Sequence, residues 1–279
     1  MTYGGGLGLR RGLLAVTVLH GIDLIPDDAG AWLPPPAPLL IDWSGWTAAL
    51  DGADPQTAAG QEQLAHYARA RQLLRNPADV QPRPYAMPVG HPLHPGPAWV
   101  RSPVPGGVLD LGLGVAGLRP DPEEIAPLPP AACAGRQAES DAWYLQALSY
   151  LEQMAALSVA RFARRPAGPL RPMGGCDVVT LLASATFRTG LMAAAAGHRT
   201  GMRTGMRTFA APMRDRGWLD LRRIDPEFVA CAAAATPPER RGFARPLLVT
   251  ADELVLPGAR SACSRPADPR DRPRSDPRS

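Results

Sequence analysis

The sequence predicts a mixed α and β fold of the α+β kind, in one globular domain over residues 1–258, with a disordered tail over 259–279. Three observations carry that reading. Ser140 to Arg165 shows a long helical apolar period. Several short apolar runs have strand length and sit between turns rich in proline and glycine. After Pro257 the chain becomes Arg, Pro, Ser, Asp and Ala, with too little apolar surface to offset the entropy of ordering.

Taken in order, Leu13 to Leu19 reads as a buried first strand. The prolines of "WLPPPAPLLIDW" stiffen an extended stretch that enters a short strand at Leu39 to Asp42. Asp54-Pro55 sets Asp as N-cap and Pro at the first position of a helix reaching about Arg75, where Asn76-Pro77 stops it. Pro77 to Pro105 holds nine prolines in 29 residues. Proline lacks the N–H that helix interiors and central strands need, so this segment is expected to be extended and to wrap the surface. Val108 to Leu113 follows as a strand. From Ser140 to Arg165, the residues Tyr144, Leu148, Leu151, Ala155, Val159 and Phe162 form one apolar helix face. Ser140 is expected to cap it, and Pro166 to end it. A second helix spans Val178 to Ala196 with Asp177 as N-cap, and Phe209 to Met213 is a strand. Asp225-Pro226 opens a short helix through Ala235, and "RPLLVTADELVLPG" is a hairpin.

Composition excludes several chemistries. All 30 basic residues are arginine, a bias that a GC-rich genome explains. With no lysine there is no Schiff base, no Walker A loop, no kinase strand lysine and no Ser-x-x-Lys nucleophile. Ser261 to Ser279 carries five arginines against three aspartates, half of the net +4, so the basic balance does not itself argue for nucleic acid. Cys133, Cys176, Cys231 and Cys263 form no C-x-x-C and fit a reducing compartment. Arg10 and Arg11 precede the apolar run at Leu13 as in a twin-arginine export signal. His20 and Asp23 interrupt that run, and Asp27 and Asp28 crowd the cleavage-like Ala29 to Trp32. A cytoplasmic location is therefore expected. No apolar run approaches the ~18 residues that span a membrane, and no membrane partner is expected.

Four patterns were weighed for chemistry. "GLGVAG" at Gly112 to Gly117 matches G-x-G-x-x-G after a strand, but Pro120 and Pro122 block the helix that a dinucleotide site needs. Close backbone packing is the better explanation, and no cofactor is expected. His91 and His94 form an H-x-x-H pair to which Asp110 or Cys176 would be the further metal ligand, yet the pair lies on a proline-rich loop, and no metal is assigned. Cys176 precedes a helix start, where a thiol's pKa falls, and could pair with His91 or His94 as a nucleophile. Finally, "GHRTGMRTGMRT" repeats one tetrapeptide three times from Gly197 to Thr208. Arg199, Arg203 and Arg207 continue into Arg214, Arg216, Arg222 and Arg223, seven arginines against Asp215 and Asp220. This is the sequence's best anion-binding stretch. Tandem identity also arises by replication slippage, and an expanded loop or edge strand is the simpler account.

The expected function is binding, as an interaction or regulatory factor with a protein partner. One alternative is an enzyme with a Cys/His site built from Cys176, His91, His94 and Asp110. Another is an anion or RNA binder using Arg199, Arg203, Arg207, Arg214 and Arg216.

Overall fold

A computed structural model describes residues 4–34, 38–164, 168–197, 205–221 and 225–257. The expected tail at 259–279 and the repeat arginines Arg199 and Arg203 lie outside the described residues. The chain opens with helix α1, Gly4–His20. Leu13 to Leu19 is thus helical, not a strand. Leu9, Leu13 and Val16, spaced by four and three, turn inward, while Leu14, Val18 and Leu19 stay exposed. A short apolar run has no period of its own, so only this packing distinguishes the two. Strands β1 (Ile25–Pro26), β2 (Gly30–Leu33) and β3 (Leu39–Asp42) form an antiparallel sheet in sequential order. Asp42 caps α2, Trp43–Leu50, by accepting from the Gly45 N–H at 2.7 Å.

Helix α3, Ala58–Leu73, starts later than Asp54-Pro55 suggests, because Thr57 is its N-cap, accepting from the Gly60 N–H at 3.1 Å. Asp54 and Pro55 instead make the turn before it, with Asp54 Oδ1 accepting from the Gln56 N–H at 2.9 Å.

The proline-rich segment does contain a strand, and a buried one. Strand β4, Pro82–Pro88, pairs antiparallel with β6, Leu109–Ala116, while the two-residue β5, Ser102–Pro103, lies on the far side of β6. Parity makes this possible. The Ala86 N–H turns away from β6 and donates to Thr180 Oγ1 at 3.2 Å. Pro82, Pro84 and Pro88 share that parity, so the ladder to β6 loses no donor. Proline confines β4 to a sheet edge, but other elements cover that edge.

Strand β7, Ile125–Pro127, also pairs with β6. Gly112 and Gly114 of the "GLGVAG" motif lie opposite Tyr85 and Arg83 of β4. A Cβ at Gly112 would strike the Trp99 indole, and one at Gly114 would meet the Ala126 carbonyl at 3.2 Å. Trp99 Nε1 donates to the Leu113 carbonyl at 3.0 Å. The glycines admit an indole and a neighbouring strand, and β7 rather than a helix follows them.

Helix α4, Gln137–Arg164, begins before Ser140, which is buried inside it and accepts from Arg101. Its innermost line is Trp143, Ala147, Leu151, Ala155, Ser158 and Phe162, with Tyr144, Leu148 and Val159 half-buried beside it. The second expected helix is broken in two. Asp177 caps α5, Val178–Leu181, accepting from the Thr180 N–H at 2.7 Å. The break falls at Ser184, which accepts from the Phe187 N–H at 3.1 Å and starts α6, Ala185–Gly197. Arg188, 3% exposed, donates to the Leu182 and Ala183 carbonyls at 2.8 and 3.0 Å.

Strands β8 (Arg207–Met213) and β9 (Arg216–Leu219), helix α7 (Pro226–Ala234, capped by Asp225), and strands β10 (Leu247–Val249) and β11 (Leu254–Val255) complete the chain. The strand order β11-β10-β8-β9 puts Arg207 and Thr208 in an interior strand, not at an edge. Among the described residues, seven α-helices and three antiparallel sheets make a mixed α+β fold. Among the described residues two large apolar clusters form the interior, α1 to α3 with the start of α4 packing one and the rest of α4, α5 and α6 with β8 and β10 the other, and Tyr85, Met87 and Trp99 form a small third. Strand β6 belongs to both, through Leu113 and Val115 in the first and Leu109 and Leu111 in the second. Among the described residues no helix is long and apolar enough to cross a membrane.

Candidate functional site

The β8–β9 turn carries the side chain around which the site is built. Arg214 is only 6% exposed. Its Nε donates to Asp177 Oδ2 at 2.7 Å, its Nη2 to the Ala86 carbonyl at 2.8 Å, and its guanidinium lies 4.2 Å from the centre of the Tyr85 ring. One residue therefore ties the β8–β9 turn to the cap of α5 and to the outer edge of β4. The third nitrogen, Nη1, is buried and has no partner. Arg75 Nε is buried without a hydrogen bond in the same way, and a buried donor without an acceptor costs about 1–3 kcal/mol.

Arg214 forms part of the wall of a cleft of about 460 Å³, together with Tyr85, Asp121, Glu124, Asp177, Asp215, Pro237, Glu239 and Arg240. That volume lies in the range of about 300–1,000 Å³ usual for small-ligand sites. Five carboxylates face two guanidinium groups there. Asp215 Oδ2 holds Arg216 at 3.0 Å while its Oδ1 is buried without a partner. Glu124 pairs with Arg119 at 3.1 Å. Burial pushes the Glu124 carboxyl above its ordinary pKa; Arg119 opposes this, and the charges of Asp121 and Glu239 add to it. Burial also raises the Tyr85 phenol.

The predicted residues separate. His94 Nε2 lies 3.2 Å from Asp110 Oδ2, close enough to attract but not aligned as a hydrogen bond. The ring also stands edge-on to Trp99, 5.5 Å between centres. Both histidines close tight turns: His91 Nδ1 accepts from the Leu93 N–H at 3.2 Å, and His94 Nδ1 from the Gly96 N–H at 3.1 Å. His91 Nε2 then faces the Pro238 carbonyl at 3.1 Å, which leaves that ring no lone pair for a metal. Among the described residues no group of three or more His, Cys, Asp or Glu side chains could hold a metal ion. His91 thus contacts Pro238, which lies in the chain between the cleft residues Pro237 and Glu239. Burial and the field of Arg214 push its pKa down.

Cys176 joins neither histidine. It is 1% exposed in the second apolar cluster, and burial, with the adjacent Asp177 charge, pushes its thiol up to about 12. The reactive-thiol reading needs the opposite shift. The arginines of the repeat region are likewise engaged where they are described. Arg207 is 5% exposed and meets Asp220 at 3.0 Å, Arg214 holds Asp177, and Arg216 holds Asp215 and Glu227 at 3.0 and 3.3 Å. These three described arginines are paired within the fold.

Sequence reasoning missed Tyr85, Asp121, Glu124, Asp215 and Glu239. They come from four separate stretches, and none is part of a motif. No family model matches the chain, and no curated protein or solved structure is significantly similar to it.

Proposed function

We propose that the protein acts by binding, as an interaction or regulatory factor, and that the cleft around Arg214 is where it takes its ligand. The observation that carries this is the cleft itself, ligand-sized and walled by five carboxylates, two guanidinium groups and the Tyr85 ring. The polar groups converging there suit recognition.

The two alternatives have less support. The Cys/His enzyme lacks an accessible thiolate, since Cys176 is buried with a raised pKa. The arginine-rich anion or RNA binder has its described members Arg207, Arg214 and Arg216 in ion pairs with Asp220, Asp177 and Asp215.

Thermal melting of the purified chain against amino acids, amines, short peptides, nucleotides, oligonucleotides and divalent metals tests the proposal. A ligand at 100 times its Kd stabilises by about 2.7 kcal/mol. One class should raise the melting temperature of the wild type and do so less in Asp121→Asn and Glu239→Gln, both at the accessible wall. A shift that both variants retain in full, or no shift with any class, overturns the cleft as the binding site.

A further inference from the structure

We infer that a second site, at the carboxyl end of α4, binds an organic phosphate monoester. It goes beyond the cleft reading above and shares no described lining residue with that cleft.

The site is a cavity of about 520 Å³ between the last turns of α4 and residues 168–171. That volume suits a small organic ligand. Both walls are held in place. Leu170 exchanges two backbone hydrogen bonds with Gly217 of β9, at 2.7 and 3.2 Å. Arg171 is fixed by Glu227 at 2.6 Å, a carboxylate it shares with Arg216.

Charge is the first argument. Arg161, Arg164 and Arg171 line the cavity, and among the described residues no carboxylate does. Glu227 is counted against Arg171. Arg161 and Arg164 are exposed, and among the described residues neither side chain has an ion-pair or hydrogen-bond partner. Two positive charges therefore remain. The carboxyl end of α4 offsets about half a charge, which leaves a clear positive excess. A phosphate monoester carries about −1.5 to −2 at pH 7, and its terminal oxygens suit guanidinium forks. A single carboxylate would leave part of that charge unmatched.

The second argument is independent of the arginines. Ser158 is 4% exposed and lines the same cavity. Its hydroxyl has no protein partner among the described residues, yet it is not one of the side-chain atoms sealed without a partner. The small open part of Ser158 thus includes the hydroxyl, and it opens on the cavity. A phosphate oxygen there completes it. Arg161 and Arg164 also suit the negative end of the α4 dipole, but that role needs neither a cavity nor a free hydroxyl. Phe162 and Leu170 supply an apolar wall, which inorganic phosphate would leave uncovered and an organic group would cover.

Isothermal titration of the full chain with phenyl phosphate, inorganic phosphate, benzoate and a decapeptide bearing phosphotyrosine tests this. Phenyl phosphate should bind. Inorganic phosphate lacks the apolar group and benzoate the second charge, so each should bind at least tenfold more weakly. Arg161→Gln and Arg164→Gln, both at exposed positions, should each weaken phenyl phosphate severalfold and reduce its salt dependence. Ser158→Ala should weaken it as well. Tighter binding of the decapeptide than of phenyl phosphate marks a phosphorylated chain as the source; equal or weaker binding marks a small metabolite. No binding of either ester overturns the inference. So does binding that both arginine variants retain in full, or benzoate or inorganic phosphate binding as tightly as phenyl phosphate. The cleft around Arg214 stands or falls separately, on Asp121 and Glu239.

Discussion

Arg214→Met isolates how much one arginine contributes to joining the β8–β9 turn, β4 and α5. The substitution removes the 2.7 Å bond to Asp177, the 2.8 Å bond to the Ala86 carbonyl and the stacking on Tyr85 at 4.2 Å. Breaking a buried pair from one side costs about 3–5 kcal/mol, most of it the stranded partner charge. The Asp177 side chain is 20% exposed, so water reaches part of that charge. The lower end, about 3 kcal/mol, is therefore expected, or a melting temperature lowered by about 6–12 °C for a chain of this size. Asp177→Asn keeps an oxygen to accept from the Thr180 N–H, and Asn caps helices as well as Asp. In the double variant no carboxylate is stranded, so it should recover about 1–2 kcal/mol relative to the sum of the two single changes. Urea denaturation followed by circular dichroism, with m-values compared across all four proteins, measures this. Arg214→Met within about 1 kcal/mol of wild type, or strictly additive single changes, would refute the reasoning.

Two further predictions concern groups away from the cleft. His66 faces the Pro127 carbonyl at 2.7 Å, and burial pushes its pKa down to about 4. The unfolded chain takes that proton near pH 6.5, so between 6.5 and 4 it binds more protons than the fold, and stability falls as pH is lowered through that window. The loss should reach at most about 3 kcal/mol at the acid end. His91, also pushed down, acts in the same direction. His66→Gln, measured by urea titration from pH 8 to 4, should flatten the slope; an unchanged slope excludes His66 as its source. Cys176, buried and with a pKa near 12, should resist iodoacetamide at pH 8 until urea unfolds the chain. Peptide mass mapping that found it alkylated in the native protein would show that its pocket opens.

The local signals were the legible ones. Asp177 and Asp225 cap helices because a short side chain reaches amides two or three residues on, an interaction contained within the motif. Leu39 to Asp42 and the closing hairpin lie where short apolar runs between turns placed them. Leu13 to Leu19 was misread because a short apolar run has no period until a partner selects its inward face. In Pro77 to Pro105 the parity of Pro82, Pro84 and Pro88 was visible, but the sequence alone does not say which parity faces the neighbouring strand.

By itself, then, the sequence determined the mixed composition of helices and strands, the caps at Asp177 and Asp225, and the exclusion of lysine chemistry. These depend on residues a few positions apart. Tertiary structure decided which charges remain available. Arg207, Arg214 and Arg216 read as an exposed basic stretch because their aspartate partners cannot be assigned along a chain; folding brings Asp220, Asp177 and Asp215 to them. The same packing gathers Tyr85, Glu124, Arg214 and Glu239 from distant segments into one cleft. Burial and pairing depend on what lies across the molecule, so which charges are matched becomes visible only in the fold.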